Sequence, residues 1–105
     1  MKEKTVSELK ELQESAADFQ LIDVREPHEY EQSNLGGELM PLGSLIGLSE
    51  QIRRDVPVIV HCRSGARSAA AVNELEKRFG LENLYNLKGG ILAYSKEIDP
   101  AIQVF

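Results

Sequence analysis

The residues with the clearest chemical potential lie in one short loop, which reads Cys62-Arg63-Ser64-Gly65-Ala66-Arg67-Ser68. Cys62 is the one cysteine of the chain, and Arg63 and Arg67 bring two positive charges to the same loop. Neighbouring arginines and a helix N-terminus favour the thiolate, which is the nucleophilic form of a cysteine. We therefore predict that the pKa of Cys62 is lowered and that Cys62 acts as a nucleophile.

The flanking sequence predicts a strand before this loop and a helix after it. Residues 56–61 are mostly β-branched, as in a buried strand, and residues 69–79 are rich in helix formers. The first N–H groups of a helix lack partners within the helix and carry partial positive charge. Gly65 can adopt left-handed dihedral angles, so the loop amides can turn inward and form an anion-binding cradle around the sulfur. Ser68 is expected to help cap the helix.

Two other roles for Cys62 agree less well with this pattern. An inert cysteine that packs as a small hydrophobe needs neither a glycine nor two arginines beside it. A structural zinc site needs four ligands, whereas His61 points to the opposite side of the strand from Cys62 and His28 adds too few. The sequence therefore predicts no metal site and no cofactor.

Short strands alternate with helices along the whole chain. Strands are predicted at residues 19–24, 38–41, 56–61 and 83–87, and helices at 27–32, 69–79 and 91–98, with a first helix opened by a capping box of Thr5 and Glu8. Such alternation is typical of parallel strands joined by crossover helices, and strands without a polar side indicate a sheet covered on both faces. We predict one three-layer α/β/α domain over residues 1–105, with a central, mostly parallel sheet of four to five strands.

Between the second predicted strand and the Cys62 strand, residues 42–54 mix loop and helix. Four apolar side chains of this segment are expected to face the core: Leu45, Ile46, Leu48 and Ile52.

Composition excludes several classes of partner. The chain has 105 residues and a net charge of −5, which is a poor electrostatic match for nucleic acid or an anionic membrane. No apolar run approaches the ~20 residues of a membrane-spanning helix, and the polar start of the chain does not resemble a signal peptide. A single cysteine cannot form an intrachain disulfide. We expect a cytoplasmic protein that binds neither nucleic acid nor membrane.

A second pair of charged residues follows the first predicted core strand. Asp23 and Arg25 lie at its carboxyl end, and ligands of parallel sheets bind beyond such ends. The two residues can orient a site there. They can equally form a structural pair, with Asp23 accepting N–H groups of nearby turns, and this interpretation is favoured because buried acids persist mainly when they are hydrogen-bonded.

Four segments together resemble the rhodanese-like sulfurtransferase domain, and the resemblance covers nearly the whole chain. The segments are residues 21–30, 36–42, 60–68 and 87–94, in the order that the family has them. The chain departs from the family at Ser33-Asn34-Leu35, where many members have Gly-His-Ile, and at Tyr94, where tryptophan is usual. Gly36-Gly37 and residues 95–100 look closer to the rhodanese domains that are fused to molybdopterin-type adenylyltransferases.

The resemblance implies a sulfurtransferase that moves sulfane sulfur through a persulfide on Cys62. The donor is thiosulfate or the persulfide of another protein, and the acceptor is a thiophilic nucleophile. The resemblance further implies that loop amides from Arg63 to Ser68 hold the terminal sulfur, that Arg67 faces an anionic donor and that Arg63 assists. A sulfur-carrier protein or an adenylyltransferase is a candidate partner.

Two other functions stay open. Cysteine phosphatases and arsenate reductases also pair a cysteine with a loop arginine, but the phosphatase pattern has five residues between them and this chain has the four from Arg63 to Ala66. The shorter loop makes a cradle too small for phosphate. A non-enzymatic interaction module, or a relay between protein donors and acceptors, is the other alternative, although the retained Cys62 and arginines argue against a purely structural module.

Overall fold

A computed structural model describes all residues from Met1 to Phe105 and contains five strands and four α-helices. The strands are β1 (Glu3–Lys4), β2 (Gln20–Asp23), β3 (Glu38–Leu39), β4 (Val58–His61) and β5 (Leu84–Leu87). The α-helices are α1 (Val6–Glu14), α2 (Pro27–Gln32), α3 (Ala66–Phe79) and α4 (Gly90–Glu97), and two 3₁₀ helices cover Leu42–Ser44 and Ile46–Gln51.

The strands form one sheet in the order β1-β5-β4-β2-β3, and every neighbouring pair is parallel. This arrangement confirms the predicted α/β class, with the sheet wholly rather than mostly parallel. Parallel neighbours require crossover connections, and here the helices and 3₁₀ segments supply them.

The central strand β4 buries both of its faces, which explains why it has no polar side. Val58 and Val60 belong to a large apolar cluster with Leu75 of α3, whereas Ile59 belongs to a second cluster with Leu9 of α1. All three strand residues are fully buried. The helices therefore cover opposite faces of the sheet, and the layers are helix, sheet and helix.

Local sequence signals set the starts of α1 and α2 as predicted. The side chain of Thr5 accepts a hydrogen bond from the amide of Glu8 at 3.1 Å, and the carboxylate of Glu8 accepts one from the amide of Thr5 at 2.9 Å. This reciprocal pair is the capping box that opens α1. Pro27 is the first residue of α2, where its missing N–H costs nothing.

Two sequence expectations differ from the structure. Strand β1 was not predicted, because two polar residues have no alternation of their own and depend on pairing with β5. Ile46 was expected to face the core but is 39% exposed, whereas Leu45 and Ile52 are buried. In a 3₁₀ helix each residue turns by a third of a circle, so Leu45 and Leu48 share a side and Ile46 turns away from it.

None of the helices is both long enough and apolar enough to cross a lipid bilayer.

Candidate active site

The site lies at the carboxyl edge of the sheet, where three neighbouring strands end. Parallel register places Asp23 of β2 beside His61 of β4, and Val60 of β4 beside Asn86 of β5. Cys62 follows His61 directly and so extends beyond this edge between its two neighbours. Parallel sheets bind ligands at this edge because their strand ends and helix N-termini meet there.

A sharp turn at Gly65 folds the loop back over the sulfur of Cys62. Gly65 has φ of +113° and is the N-cap of α3, a conformation that L residues rarely adopt. The expectation that Ser68 caps this helix is wrong, because the left-handed Gly65 starts the helix three residues earlier. Ser68 lies within the first turn instead, and its side chain is free to contact the site.

The sulfur of Cys62 is surrounded by hydrogen-bond donors. The amide of Gly65 donates to Sγ at 3.1 Å, the hydroxyl of Ser68 lies 3.3 Å from it, and the amides of Ser64 and Ser68 also point towards it. Burial alone raises the pKa of the Cys62 thiol. The hydrogen bonds from Ser68, Gly65 and Ser64 outweigh burial, and the pKa of Cys62 is lowered overall, in the direction that the sequence predicts.

Asn86 connects to this cradle, although nothing in the sequence analysis singled it out. It is buried at the carboxyl end of β5, its Oδ1 lies 2.5 Å from the hydroxyl of Ser68, and its Nδ2 donates to the carbonyl of Gly65 at 3.2 Å. The single hydroxyl proton of Ser68 therefore has three alternative acceptors, which are Asn86, Cys62 and the carbonyl of Gly65 at 3.2 Å. A polar residue inside an otherwise apolar strand was the signal that could have identified it.

Arg67 is not a free cation in this structure. Its guanidinium makes a bidentate ion pair with Glu29 of α2, with Nη1–Oε1 at 2.6 Å and Nη2–Oε2 at 2.9 Å. The hydrogen bonds from Arg67, helped by the amide of Glu26, lower the pKa of Glu29 to about 2. Sequence analysis expected Arg67 to face a donor and did not predict this partner, because the two residues are 38 positions apart.

Asp23 and Arg25 form a buried pair with each other. The carboxylate of Asp23 accepts the backbone N–H of Arg25 at 3.0 Å, and the shortest contact between the two side chains is 2.8 Å. Arg25 also donates to the carbonyl of Ser33 at 2.7 Å. Neither side chain is hydrogen-bonded to the sulfur. The pair therefore lies at the neighbouring strand end without contacting Sγ of Cys62.

His61 is fully buried and is not hydrogen-bonded to the thiol. Its Nδ1 lies 3.3 Å from the carbonyl of Cys62, and its Nε2 has no hydrogen-bond partner and lies 3.7 Å from Asp23. Burial lowers the pKa of His61 despite the nearby carboxylate. Because neither ring nitrogen of His61 is hydrogen-bonded to Sγ, His61 is not placed to take the proton of Cys62.

The start of α4 fixes the first two residues of the loop. The amides of Ile91 and Leu92 donate to the carbonyls of Cys62 and Arg63, each at 3.0 Å. Gly90 permits this approach, because a Cβ there would lie 2.6 Å from the Cys62 carbonyl oxygen and 2.5 Å from that of Arg63. The side chain of Arg63 points away from this contact, and its Nε donates to the carbonyl of Phe105 at 3.1 Å.

Fold and site together define a parallel α/β domain that holds a cysteine with a lowered pKa at the N-terminus of a helix. The family model of the Rhodanese-like domain matches residues 5–97, and the chain belongs to this family. Membership confirms the resemblance seen in the sequence and places the chain in a sulfur-transfer family.

Individual relatives agree with this assignment. A sulfurtransferase of Allochromatium vinosum is 34% identical over 86 residues, which cover 81% of this chain and 79% of the relative. The probable adenylyltransferase/sulfurtransferase MoeZ of Mycobacterium tuberculosis is 31% identical over 104 residues, or 96% of this chain and 26% of MoeZ. The crystal structure of a rhodanese-related protein from Thermoplasma volcanium superposes with a TM-score of 0.82 and 29% identity, and each chain is covered completely.

The match to several relatives is confined to a part of their length. The chain spans 63%, 30% and 26% of the first three curated relatives that it matches.

Proposed function

We propose that this protein is a sulfurtransferase that carries a sulfane sulfur as a persulfide on Cys62. The observation that carries the proposal is the set of donors around Sγ, with the amide of Gly65 at 3.1 Å and the hydroxyl of Ser68 at 3.3 Å. These groups stabilise a negative sulfur before any substrate binds. Family membership and the sulfurtransferase relative support the same chemistry.

In the first half-reaction, the thiolate of Cys62 attacks the outer sulfur of a donor. With thiosulfate, the new bond joins Cys62 to that sulfur, the bond between the two donor sulfurs breaks, and its electron pair leaves with sulfite. The product is a persulfide whose terminal sulfur is negative. The amides at the start of α3 are suited to hold this charge, since those of Ala66 and Arg67 have no partner within the helix.

In the second half-reaction, a nucleophilic acceptor attacks the terminal sulfur of the persulfide. The sulfur–sulfur bond breaks, and its electron pair returns to Cys62 as thiolate. Cyanide as acceptor gives thiocyanate, and a thiolate as acceptor gives a new persulfide. The electrons balance within these two steps, so the cycle needs no metal and no redox cofactor.

Other residues have supporting roles in this proposal. Arg67 lies in the loop paired with Glu29, Arg63 donates to the carbonyl of Phe105, and the buried Asp23–Arg25 pair fixes the neighbouring strand end. The partner is a sulfane-sulfur donor, either a small anion such as thiosulfate or a persulfide-bearing protein. MoeZ joins a related segment to an adenylyltransferase. We therefore propose that an adenylyltransferase or a sulfur-carrier protein accepts the sulfur from Cys62. A reducing compartment such as the cytoplasm suits a working thiolate.

Thiocyanate formation from thiosulfate and cyanide tests the function. We expect turnover by the unaltered protein, no turnover by Cys62→Ser and near-normal turnover by Ser7→Ala, whose side chain is exposed on α1. Sulfur transfer by Cys62→Ser would contradict the mechanism. Hydrolysis of phosphoesters above background would favour the phosphatase alternative instead and would overturn the argument from the four-residue spacing between Cys62 and Arg67.

A further inference from the structure

We propose that Glu29 determines which sulfur donors react with Cys62, because its carboxylate neutralises Arg67 and so disfavours small dianionic donors. Glu29 acts through Arg67 and is therefore a positioning residue rather than a catalytic one. The inference rests on the proposed sulfur transfer for the identity of the donor, whereas the effect on anions in general rests on the ion pair alone.

Glu29 is held firmly in the position that blocks Arg67. Both of its oxygens accept from the guanidinium, at 2.6 and 2.9 Å, and Oε1 also accepts the amide of Glu26 at 3.0 Å. The Glu29 side chain is 17% exposed and that of Arg67 is 36% exposed. Three hydrogen bonds therefore hold the partly buried Glu29 carboxylate against Arg67.

The charge of Glu29 persists at neutral pH. Because the pKa of Glu29 is about 2, the carboxylate is ionised throughout the neutral range. The negative sulfur of Cys62 also raises the pKa of Arg67, after the larger effect of Glu29, so the same guanidinium serves both anions. An incoming dianion meets a neutral pair beside a thiolate, and it must share or displace Glu29 to gain the arginine.

A persulfide carried on a thiol brings less negative charge to this site than thiosulfate does. It brings at most one negative charge, and that charge lies on the sulfur that the loop amides can contact. Thiosulfate brings two charges and a bulky sulfonate group. The paired site therefore fits a thiol-borne persulfide better than a free inorganic dianion.

Alkylation of Cys62 by two matched reagents measures access for anions without any sulfur transfer. With iodoacetamide and with iodoacetate, the thiolate attacks carbon and iodide leaves, and the reagents differ in one carboxylate charge. The ratio of the two rate constants cancels changes in thiolate fraction. Glu29→Gln removes the charge and keeps an oxygen that can accept from Arg67 and Glu26, and we expect the iodoacetate-to-iodoacetamide ratio to rise about five- to tenfold.

Two control variants separate charge at this position from other effects. Glu31→Gln removes one charge from an exposed site on the same helix, and Glu29→Asp keeps the charge while it shortens the side chain. Both are expected to leave the ratio within about twofold of the unaltered protein, since neither removes the charge beside Arg67. An unchanged ratio in Glu29→Gln, or an equal rise in either control, would overturn the proposal.

Kinetics with two sulfur donors test the selectivity itself. In Glu29→Gln we expect KM for thiosulfate to fall about tenfold with kcat unchanged, and KM for the monoanion methanethiosulfonate to fall less, because Coulomb attraction scales with charge. An unchanged KM for thiosulfate would overturn the selectivity. If no variant transfers sulfur from these donors or from a thiol-borne persulfide, the proposed function fails, while the alkylation ratio still decides whether Glu29 limits anions.

Discussion

A single sulfur atom is stabilised here by backbone and side chain together. The amide of Gly65 and the hydroxyl of Ser68 both reach Sγ of Cys62, and their combined effect exceeds the cost of burying the thiolate. Ser68 has one hydroxyl proton and two further acceptors besides Sγ, since Oδ1 of Asn86 lies at 2.5 Å and the carbonyl of Gly65 at 3.2 Å. The hydroxyl can therefore change its acceptor with the ionisation of Cys62. It donates to Asn86 when Cys62 is a thiol and to Cys62 when Cys62 is a thiolate.

Removal of the Ser68 hydroxyl should weaken the thiolate. We expect Ser68→Ala to raise the pKa of Cys62 and to slow its alkylation at neutral pH several-fold, because the thiolate loses a hydrogen bond and burial still disfavours it. The pH dependence of the iodoacetamide rate measures this. Ser64→Ala is the control and should leave the midpoint in place; a midpoint in Ser68→Ala equal to that of the unaltered protein would show that the amides alone set the pKa.

The sequence singled out Cys62 and its loop as a candidate site, but it did not reveal all of the residues that surround them. A lone cysteine followed by glycine and two arginines is a local pattern, so Cys62 and its loop could be identified from the sequence alone. Glu29 and Asn86 reach the site from elements that are 38 and 18 residues away from their partners. Such contacts depend on which helix packs beside which strand, and spacing along the chain does not contain that information.

The loop is positioned by the ends of three elements. Cys62 follows the last residue of β4, the first amides of α3 point into the loop, and amides at the N-terminus of α4 donate to the carbonyls of Cys62 and Arg63. The capping box of α1 and Pro27 of α2 were predictable because end signals are local. Strand β1 was not predictable, because its two residues become a strand only by pairing with β5.

The contact between α4 and the loop leaves no room for a side chain at Gly90. We expect Gly90→Ala to lower the free energy of unfolding by about 2–4 kcal/mol, because the new Cβ would overlap two carbonyl oxygens and φ is +61°. Urea denaturation measures the change. Gly47→Ala is a matched control with open space around its Cβ, and a loss in Gly90→Ala no larger than in this control would show that the loop yields easily.

The ion pair between α2 and α3 should make stability depend on pH in the acid range. The folded pKa of Glu29 is about 2 against an ordinary value of 4.5, so the pair stabilises the fold above pH 4.5 and loses its effect as pH falls from 4.5 towards 2. With partial exposure, we expect a contribution of about 1–2 kcal/mol.

Urea denaturation over this pH range distinguishes Glu29→Gln from the unaltered protein. The variant should be less stable at neutral pH, and its disadvantage should shrink as the pH falls. Glu31→Gln should follow the unaltered protein throughout. If the difference in unfolding free energy between Glu29→Gln and the unaltered protein stays constant with pH, the carboxylate charge of Glu29 does not stabilise the contact between α2 and α3.

In the molecule as a whole, the polar residues of the site lie together at the carboxyl edge of the parallel sheet. The strand order places the ends of β5, β4 and β2 side by side, so Asn86, Cys62 and Asp23 converge although the chain separates them widely. Helices on both faces bury the sheet, and the class of fold could be predicted from that alternation. The chain has a net charge of −5, whereas two arginines lie in the loop that follows Cys62.

The central claim is that Cys62 carries sulfur as a persulfide, and the most direct measurement is the intact mass of the protein after exposure to a sulfane-sulfur donor. We predict that the unaltered protein gains the mass of one sulfur atom, that a reductant removes it, and that Cys62→Ala gains nothing. A protein that keeps its original mass with both thiosulfate and a thiol-borne persulfide, or a gain that persists in Cys62→Ala, would contradict the account.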